Sequence, residues 1–326
     1  MKQESPPFAP GAAAHAANRE LHEALDRIAK VVLGKPQQIR LALSCFLADG
    51  HLLIEDLPGL GKTTLAHALA RVMGLQFERV QFTSDLLPGD ISGVSVFDPK
   101  QGEFHFHQGP IFTQLLLADE INRSTPKTQS ALLEAMEERQ VSTEGQTRKL
   151  PEPFFVIATQ NPLSQVGTFP LPESQLDRFL MCITLGYPDA AAERRILEGQ
   201  DPRTRLPELR AVFTGPEHLA RLQQQVLQQR VSESLLDYVQ RLVSVTRHNE
   251  AFPCGLSPRG AMALLRAARA WSLFEQRDYV LPDDVQAVLP AVLEHRVQGY
   301  GAARIHGEQD GSLSRRLLSL VDVVER

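Results

Sequence analysis

Leu21, Leu25, Ile28 and Val32 recur at helical spacing, and LGKP at residues 33–36 breaks the helix they predict. A second helix is expected over residues 37–48. LLIE at residues 52–55 is then a short unbroken apolar run between Gly50 and a glycine-rich loop, the pattern of a strand buried on both faces of a parallel sheet. KTTLAHALARVMG returns to helical spacing through Leu65, Leu69 and Val72, with Gly74 as its stop. Further strands are expected over residues 77–83, 113–119, 154–159 and 179–185. Between the strands at 113–119 and 154–159, STPKTQSALLEAMEER reads as a helix capped by Ser124 or Thr125, with Pro126 in its first turn. Strands alternating with helices in this way predict an α/β fold, a five-stranded parallel sheet covered on both faces.

Two hairpins interrupt that rhythm. GVSVFDPKQGEFHFHQG alternates around a turn at residues 98–102, and RQVSTEGQTRKL pivots on Glu144 and Gly145. From Tyr187 the strands stop and the chain reads as successive amphipathic helices, one of them with Ser257 as cap and Pro258 in its first turn. The expected division is a mobile tail over residues 1–18, an α/β domain over 19–187 and a smaller all-α domain over 188–326.

Composition narrows the class. At 326 residues, 43% hydrophobic and 22% charged, the chain can bury a sizeable core and has little room for extended disorder. The net charge of −5 and the lack of any Lys or Arg block disfavour nucleic acid or an anionic membrane as partner. Cys45, Cys182 and Cys254 lie far apart without CxxC spacing, so they read as core residues in a reducing, cytoplasmic setting. No apolar run approaches the roughly 20 residues that a membrane span needs.

The chemistry begins where the first strand ends. In LLIEDLPGLGKTTLA a strand, a glycine-rich loop and a helix follow in the order that surrounds a phosphate with backbone N–H groups and a helix N-terminus. Pro58, Gly59, Leu60 and Gly61 form the loop, Lys62 is placed for the terminal phosphates and the Thr63 hydroxyl for magnesium, with Thr64 beside them on the helix. Asp56 stands where the general GxxxxGK[ST] pattern has its first glycine. Asp tolerates a positive φ better than most residues, so it reads as a tolerated variation, and Asp56→Gly is expected to leave nucleotide affinity nearly unchanged. At the end of LLLADE, Asp119 is placed to hold magnesium through water and Glu120 to polarise an attacking water. FFVIATQNP delivers Asn161 just past a strand's carboxyl end, where open α/β sheets bind ligands. On local grounds Asn161 reads equally as a turn residue before Pro162. His105 and His107 share one face of a hairpin strand, and without a third ligand they read as exposed histidines.

EDLPGLGKT, LLLADEINRSTPKTQSALLEAMEERQVS, FFVIATQNP, LPESQLDRF and LSPRGAMALLRAARAW together resemble the MoxR family of AAA+ ATPases, over residues 21–297 and most densely over 50–179. In that family an acid often stands at the position of Asp56. The resemblance implies a P-loop αβα core followed by an all-α lid, with ATP and Mg2+ as cofactors. It makes Asn161 a sensor, Arg178 an arginine finger reaching a neighbouring subunit's γ-phosphate, and Arg259 a lid sensor acting within its own subunit. Gly34 would line the adenine pocket, or else simply end a helix. Arg123 would sit at the subunit interface or pair with the adjacent acids. The two hairpins would be the inserts of the helix-2-insert clade, facing the pore or substrate.

The activity so implied is ATP hydrolysis in a homo-oligomeric ring, a hexamer, used to remodel client proteins, often with a von Willebrand A-domain partner. Two other readings use the same residues. A small-molecule P-loop kinase would need an acceptor pocket, and free phosphate released without an acceptor argues against it. A nucleotide-gated binding module would turn over negligibly, and Glu120 discriminates it. Salt-sensitive binding of DNA or RNA would revive a nucleic-acid motor.

Overall fold

The computed structural model describes residues 12–161, 167–199, 202–297 and 312–324. The chain opens with α1 (Ala12–Ala29) and α2 (Pro36–Leu47), followed by β1 (Leu52–Glu55), α3 (Lys62–Met73), β2 (Phe77–Gln81) and a short α4 (Pro88–Ser92). The first hairpin is β3 (Gly93–Asp98) with β4 (Glu103–Gln108); β5 (Leu115–Asp119) and α5 (Pro126–Glu138) follow. The second hairpin, β6 (Gln140–Thr143) with β7 (Gln146–Lys149), leads into β8 (Phe155–Gln160), α6 (Glu173–Leu176) and β9 (Met181–Ile183). Thereafter come α7 (Ala190–Leu197), α8 (Pro216–Gln228), α9 (Glu233–His248), α10 (Pro258–Ser272), α11 (Pro282–Val297) and α12 (Leu313–Leu320).

The five expected strands form one parallel sheet in the order β2-β5-β8-β1-β9. β1 and β8 lie inside it and bury nearly every side chain, as their unbroken apolar runs require, whereas β2 at the edge buries only Val80 fully and exposes Glu78, Arg79 and Gln81. Thr125 proves to be the N-cap of α5, and Gly74 ends α3 at φ 66. Both hairpins turn where expected, the second through left-handed Glu144 and Gly145, the φ > 0 pair of a type I′ turn.

One expectation about organisation needs correction. The tail was expected to reach residue 18, but α1 begins at Ala12, and Ala17 and Asn18 are 2% and 1% exposed. The Asn18 amide donates to the Leu273 and Phe274 carbonyls at 3.1 and 2.7 Å, which ties the first helix to the far end of the chain. Residues 1–11 lie outside the described residues. The helical segment packs on the α/β part: one apolar cluster runs from Ala17 through α2, α3 and one sheet face into α8–α12. A second cluster fills the other sheet face beneath α5.

His51, just before β1, is buried in this framework. Its Nδ1 accepts from the Val156 N–H at 3.0 Å, so the ring is neutral and Nε2–H donates to the Met136 carbonyl at 3.1 Å. Burial, aided by Arg139, pushes its pKa down to about 3, and burial lowers buried His295 in the same direction. The unfolded chain takes up these protons below about 6.5, and the native chain does not until far lower. The stabilisation is therefore full above that pH and is lost as pH falls through the window towards 3. The denaturation midpoint is expected to drop between pH 6.5 and 5 with up to about 1.4 kcal/mol per pH unit for each histidine. A flat midpoint over that range would contradict it.

Candidate functional site

β1 ends at Glu55 and α3 opens at Lys62, leaving the loop between them free of regular structure. Gly59 and Gly61 take φ of 86 and 93, left-handed values that favour glycine, and a Cβ built at either meets nothing within 4 Å. Both positions thus border open space beside the N-terminus of α3, as a phosphate cradle requires. Pro58 and Gly59 are exposed, Leu60 and Thr63 half-buried, and Lys62 and Thr64 buried. The Lys62 ammonium donates to the Asp56 carbonyl at 2.6 Å. Burial holds it below the usual lysine range, opposed by the charges of Asp56, Asp119 and Glu120. A buried cation facing three acids is suited to receive an anionic phosphate.

The acids reach this loop from the neighbouring strands. β8 lies between β1 and β5, with Glu55 opposite Gln160 and Ala118 opposite Ala158. Asp119 at the end of β5 accepts from the Thr159 hydroxyl through Oδ1 at 2.6 Å, and from Arg79 through Oδ2 at 2.7 and 3.1 Å. Glu120 follows in the left-handed region at φ 57, unusual for a residue with a side chain, and its N–H donates to the Thr159 hydroxyl at 2.9 Å. The Glu120 carboxylate is held by Gln81 Nε2 at 3.0 Å and by Arg123 Nε at 3.0 Å. Arg123 is therefore an ion-pair partner of the acid. Asn161 leaves β8 beside them, next to the Gln160 carbonyl that accepts from the Asp56 N–H; Pro162 lies outside the described residues. The hydroxyl of Thr63 and the carboxylate of Asp119 are hard oxygen donors that suit magnesium, which would neutralise charge on the phosphate oxygens.

Arg178 and Arg259 are elsewhere. The Leu180 N–H donates to the His51 carbonyl at 2.8 Å, so Arg178 stands at the start of β1, about 16 Å along the strand direction from Asp56 at roughly 3.3 Å per residue. Arg178 Nε pairs with Glu137 Oε2 at 3.2 Å, and Arg259 donates to the other oxygen of the same carboxylate. Arg296 of α11, 8% exposed, fixes the segment by donating to Asp177 Oδ1 at 2.8 Å and to the Phe179 carbonyl at 2.6 Å. The Ser257 cap of α10 donates to Asp177 at 3.1 Å. Both arginines line an open cleft of about 330 Å³, together with Asp49, Arg139 and Arg266. In this chain Arg259, at the start of α10, lies beside the end of α5, at the amino ends of the strands, whereas Lys62 follows the carboxyl end of β1.

Gly34 lies at φ 71 after α1, and a Cβ there would come within 2.9 Å of Asp189, the cap of α7. His105 and His107 are exposed, and no group of three metal-binding side chains occurs among the described residues. Cys45 and Cys182 are buried and Cys254 half-buried; burial pushes the Cys182 thiol up to about 12. Sequence reasoning missed Thr159, Arg79, Gln81 and Glu137. Thr159 was visible as the one hydroxyl in an apolar run, but the other three are polar residues that look like solvated surface.

Residues 51–181 match the family model for the ATPase family associated with various cellular activities (AAA), and residues 244–317 match the AAA lid domain. Chaperone MoxR1 of Mycobacterium tuberculosis is 41% identical over 288 residues, 85% of this chain and 75% of that protein. The chain belongs to the MoxR family of AAA ATPases. Protein MoxR of Paracoccus denitrificans is 34% identical over 309 residues, 87% of this chain and 89% of that one. Protein YeaC of Bacillus subtilis is 45% identical over 303 residues, 93% of this chain and 94% of its own. A crystal structure from Cytophaga hutchinsonii superposes with a TM-score of 0.84 at 36% identity, covering 96% of this chain and 97% of that one. The AAA core and helical lid expected from sequence are thus those of a MoxR-family ATPase. ATP and Mg2+ are the cofactors generally used by that family.

Proposed function

We propose that this MoxR-family protein hydrolyses ATP at sites completed between neighbouring copies in a ring, a hexamer, and uses the energy to remodel client proteins. Lys62, Thr63 and Asp119 bind ATP and magnesium in one subunit, Glu120 directs the attacking water, and Asn161 positions it. Arg178 and Arg259 come from the next subunit and stabilise charge on the transferring phosphoryl group. The observation that carries this reading is the meeting of both arginines on Glu137, at the opposite ends of the strands from Lys62. Neither reaches the nucleotide loop of its own chain. The domain boundaries proposed are the α/β core to residue 187 and the lid from 188, now with α1 packed against both.

Client remodelling draws on the relative named as a chaperone. A von Willebrand A-domain protein is the proposed partner, and the exposed hairpin β3–β4, with Phe104 71% exposed, is the surface proposed to meet the substrate, as in the helix-2-insert clade. No helix among the described residues is long and apolar enough to cross a membrane, and a cytoplasmic location is proposed. Phosphate release from ATP and magnesium, with no added acceptor, is expected to rise more steeply than linearly with protein concentration. Release strictly proportional to concentration down to a monomeric sample would remove the shared site.

A second reading, a nucleotide-gated module with negligible turnover, is favoured by one detail: Glu120 is engaged by Gln81 and Arg123 and not free to face water.

A further inference from the structure

The loop's odd residue is its most heavily bonded one. Asp56 is 2% exposed, and each of its polar groups is used. Its N–H donates to the Gln160 carbonyl at 3.2 Å, extending the β1–β8 ladder, and its carbonyl accepts from the Lys62 ammonium at 2.6 Å. Its carboxylate accepts three backbone N–H groups: Leu57 at 2.8 Å on Oδ1, Leu185 at 2.7 Å and Gly186 at 2.7 Å on Oδ2. Asp56 is absent from the positive-φ positions, so the conformational tolerance expected of an aspartate here plays no part. Reading it as a tolerated variation is corrected: the side chain is a buried carboxylate with charge-assisted bonds.

Leu185 and Gly186 follow β9 after Thr184, on the way to α7 and the lid. Their neighbours are tied as well: the Tyr187 carbonyl accepts from Lys35, and Asp189 caps α7 against Gly34. A glycine at position 56 offers the linker no acceptor.

We propose that Asp56 is a positioning residue that couples the phosphate loop to the linker at residues 185–189, so that nucleotide in the loop sets the seat of the lid. The proposal rests on the reading of the loop as an ATP site. Lys62 is the moving part. In this structure its ammonium spends a bond on the Asp56 carbonyl; turning towards a terminal phosphate, it releases that carbonyl, and the Asp56 carboxylate carries the shift to Leu185 and Gly186. An asparagine of the same shape breaks the coupling, because its NH2 faces N–H donors on one side or the other.

The test uses the full-length protein with Asp56→Asn and Asp56→Gly, the latter restoring the residue of the general loop pattern and serving if the asparagine variant melts early. Three readouts are compared with the parent: affinity for a fluorescent ATP analogue with magnesium, amide hydrogen exchange at 185–189 with and without a non-hydrolysable analogue, and turnover. The expected result is near-parental affinity, loss of the analogue-dependent change in exchange at 185–189, and kcat lower by about tenfold or more. An analogue-dependent change in exchange equal to the parent's overturns the proposal. So does a loss of affinity that matches the loss in kcat, since the carboxylate then only builds the loop. A parent that binds no ATP analogue at all is a separate outcome and overturns the ATPase reading instead.

Discussion

Arg178→Ala protein is expected to bind ATP with parental affinity and to release phosphate about 10³-fold more slowly, the lower end for an arginine finger. The guanidinium acts on charge that spreads over the phosphoryl oxygens only during transfer, so its loss falls on turnover and spares ground-state binding. Geometry sets where that loss is felt: Arg178 and Arg259 share Glu137 at the amino ends of the strands, and Lys62 sits beyond the carboxyl end of β1. Arg259→Ala should therefore fail in the same manner as Arg178→Ala, not as a defect in the chain's own nucleotide loop. Lys62→Ala, which removes the one buried cation of the loop, is expected to abolish ATP binding. Mixing it with Arg178→Ala protein then pairs an intact loop in one chain with an intact arginine in the next. Some activity should return, measured as phosphate release after co-assembly is verified by size. Co-assembled rings with no recovery would sink the shared site.

Which features a sequence yields depends on how far apart the determining atoms lie along the chain. The sheet was legible because LLIE, LLLAD and FFVIAT are apolar without interruption, which only strands covered on both faces need to be. The cores of the phosphate loop and of the paired acids were legible because their chemistry is spelled in consecutive residues. The start of α1 was not, since even an alanine-rich segment is marginal as a short isolated helix, and the carbonyls that hold Asn18 belong to Leu273 and Phe274. Asp56 was seen but misread for the same reason: its acceptor role is defined by N–H groups 129 and 130 residues further on. The meeting of Arg259 with Glu137 was not legible because α10 could be located in sequence but not in space. Glu137, which gathers both arginines, is one of several acids on α5, and nothing local distinguishes it from Glu134 or Glu138.

Glu120→Gln protein is expected to hold ATP as the parent does and to lose turnover by about 10²–10⁴-fold, the range for removing a positioned general base. Glutamine keeps the shape and can still accept a bond from Gln81 or Arg123, but it cannot take a proton from the attacking water. The present contacts sharpen the result. Glu120 carries a left-handed backbone and a carboxylate bonded to Gln81 and Arg123, so hydrolysis requires it to leave those partners and turn to the nucleotide. Releasing it is then a step separate from chemistry, and Gln81→Ala should raise basal phosphate release while Glu120→Gln remains inactive in either background. If Glu120→Gln released phosphate at the parental rate and left clients bound and freed as before, the carboxylate would have no part in hydrolysis and the nucleotide-gated module would replace the motor. If it instead accumulates an ATP-bound ring with proteins attached, those proteins are the clients, because only a state stalled after binding and before the water's attack retains what the cycle normally lets go.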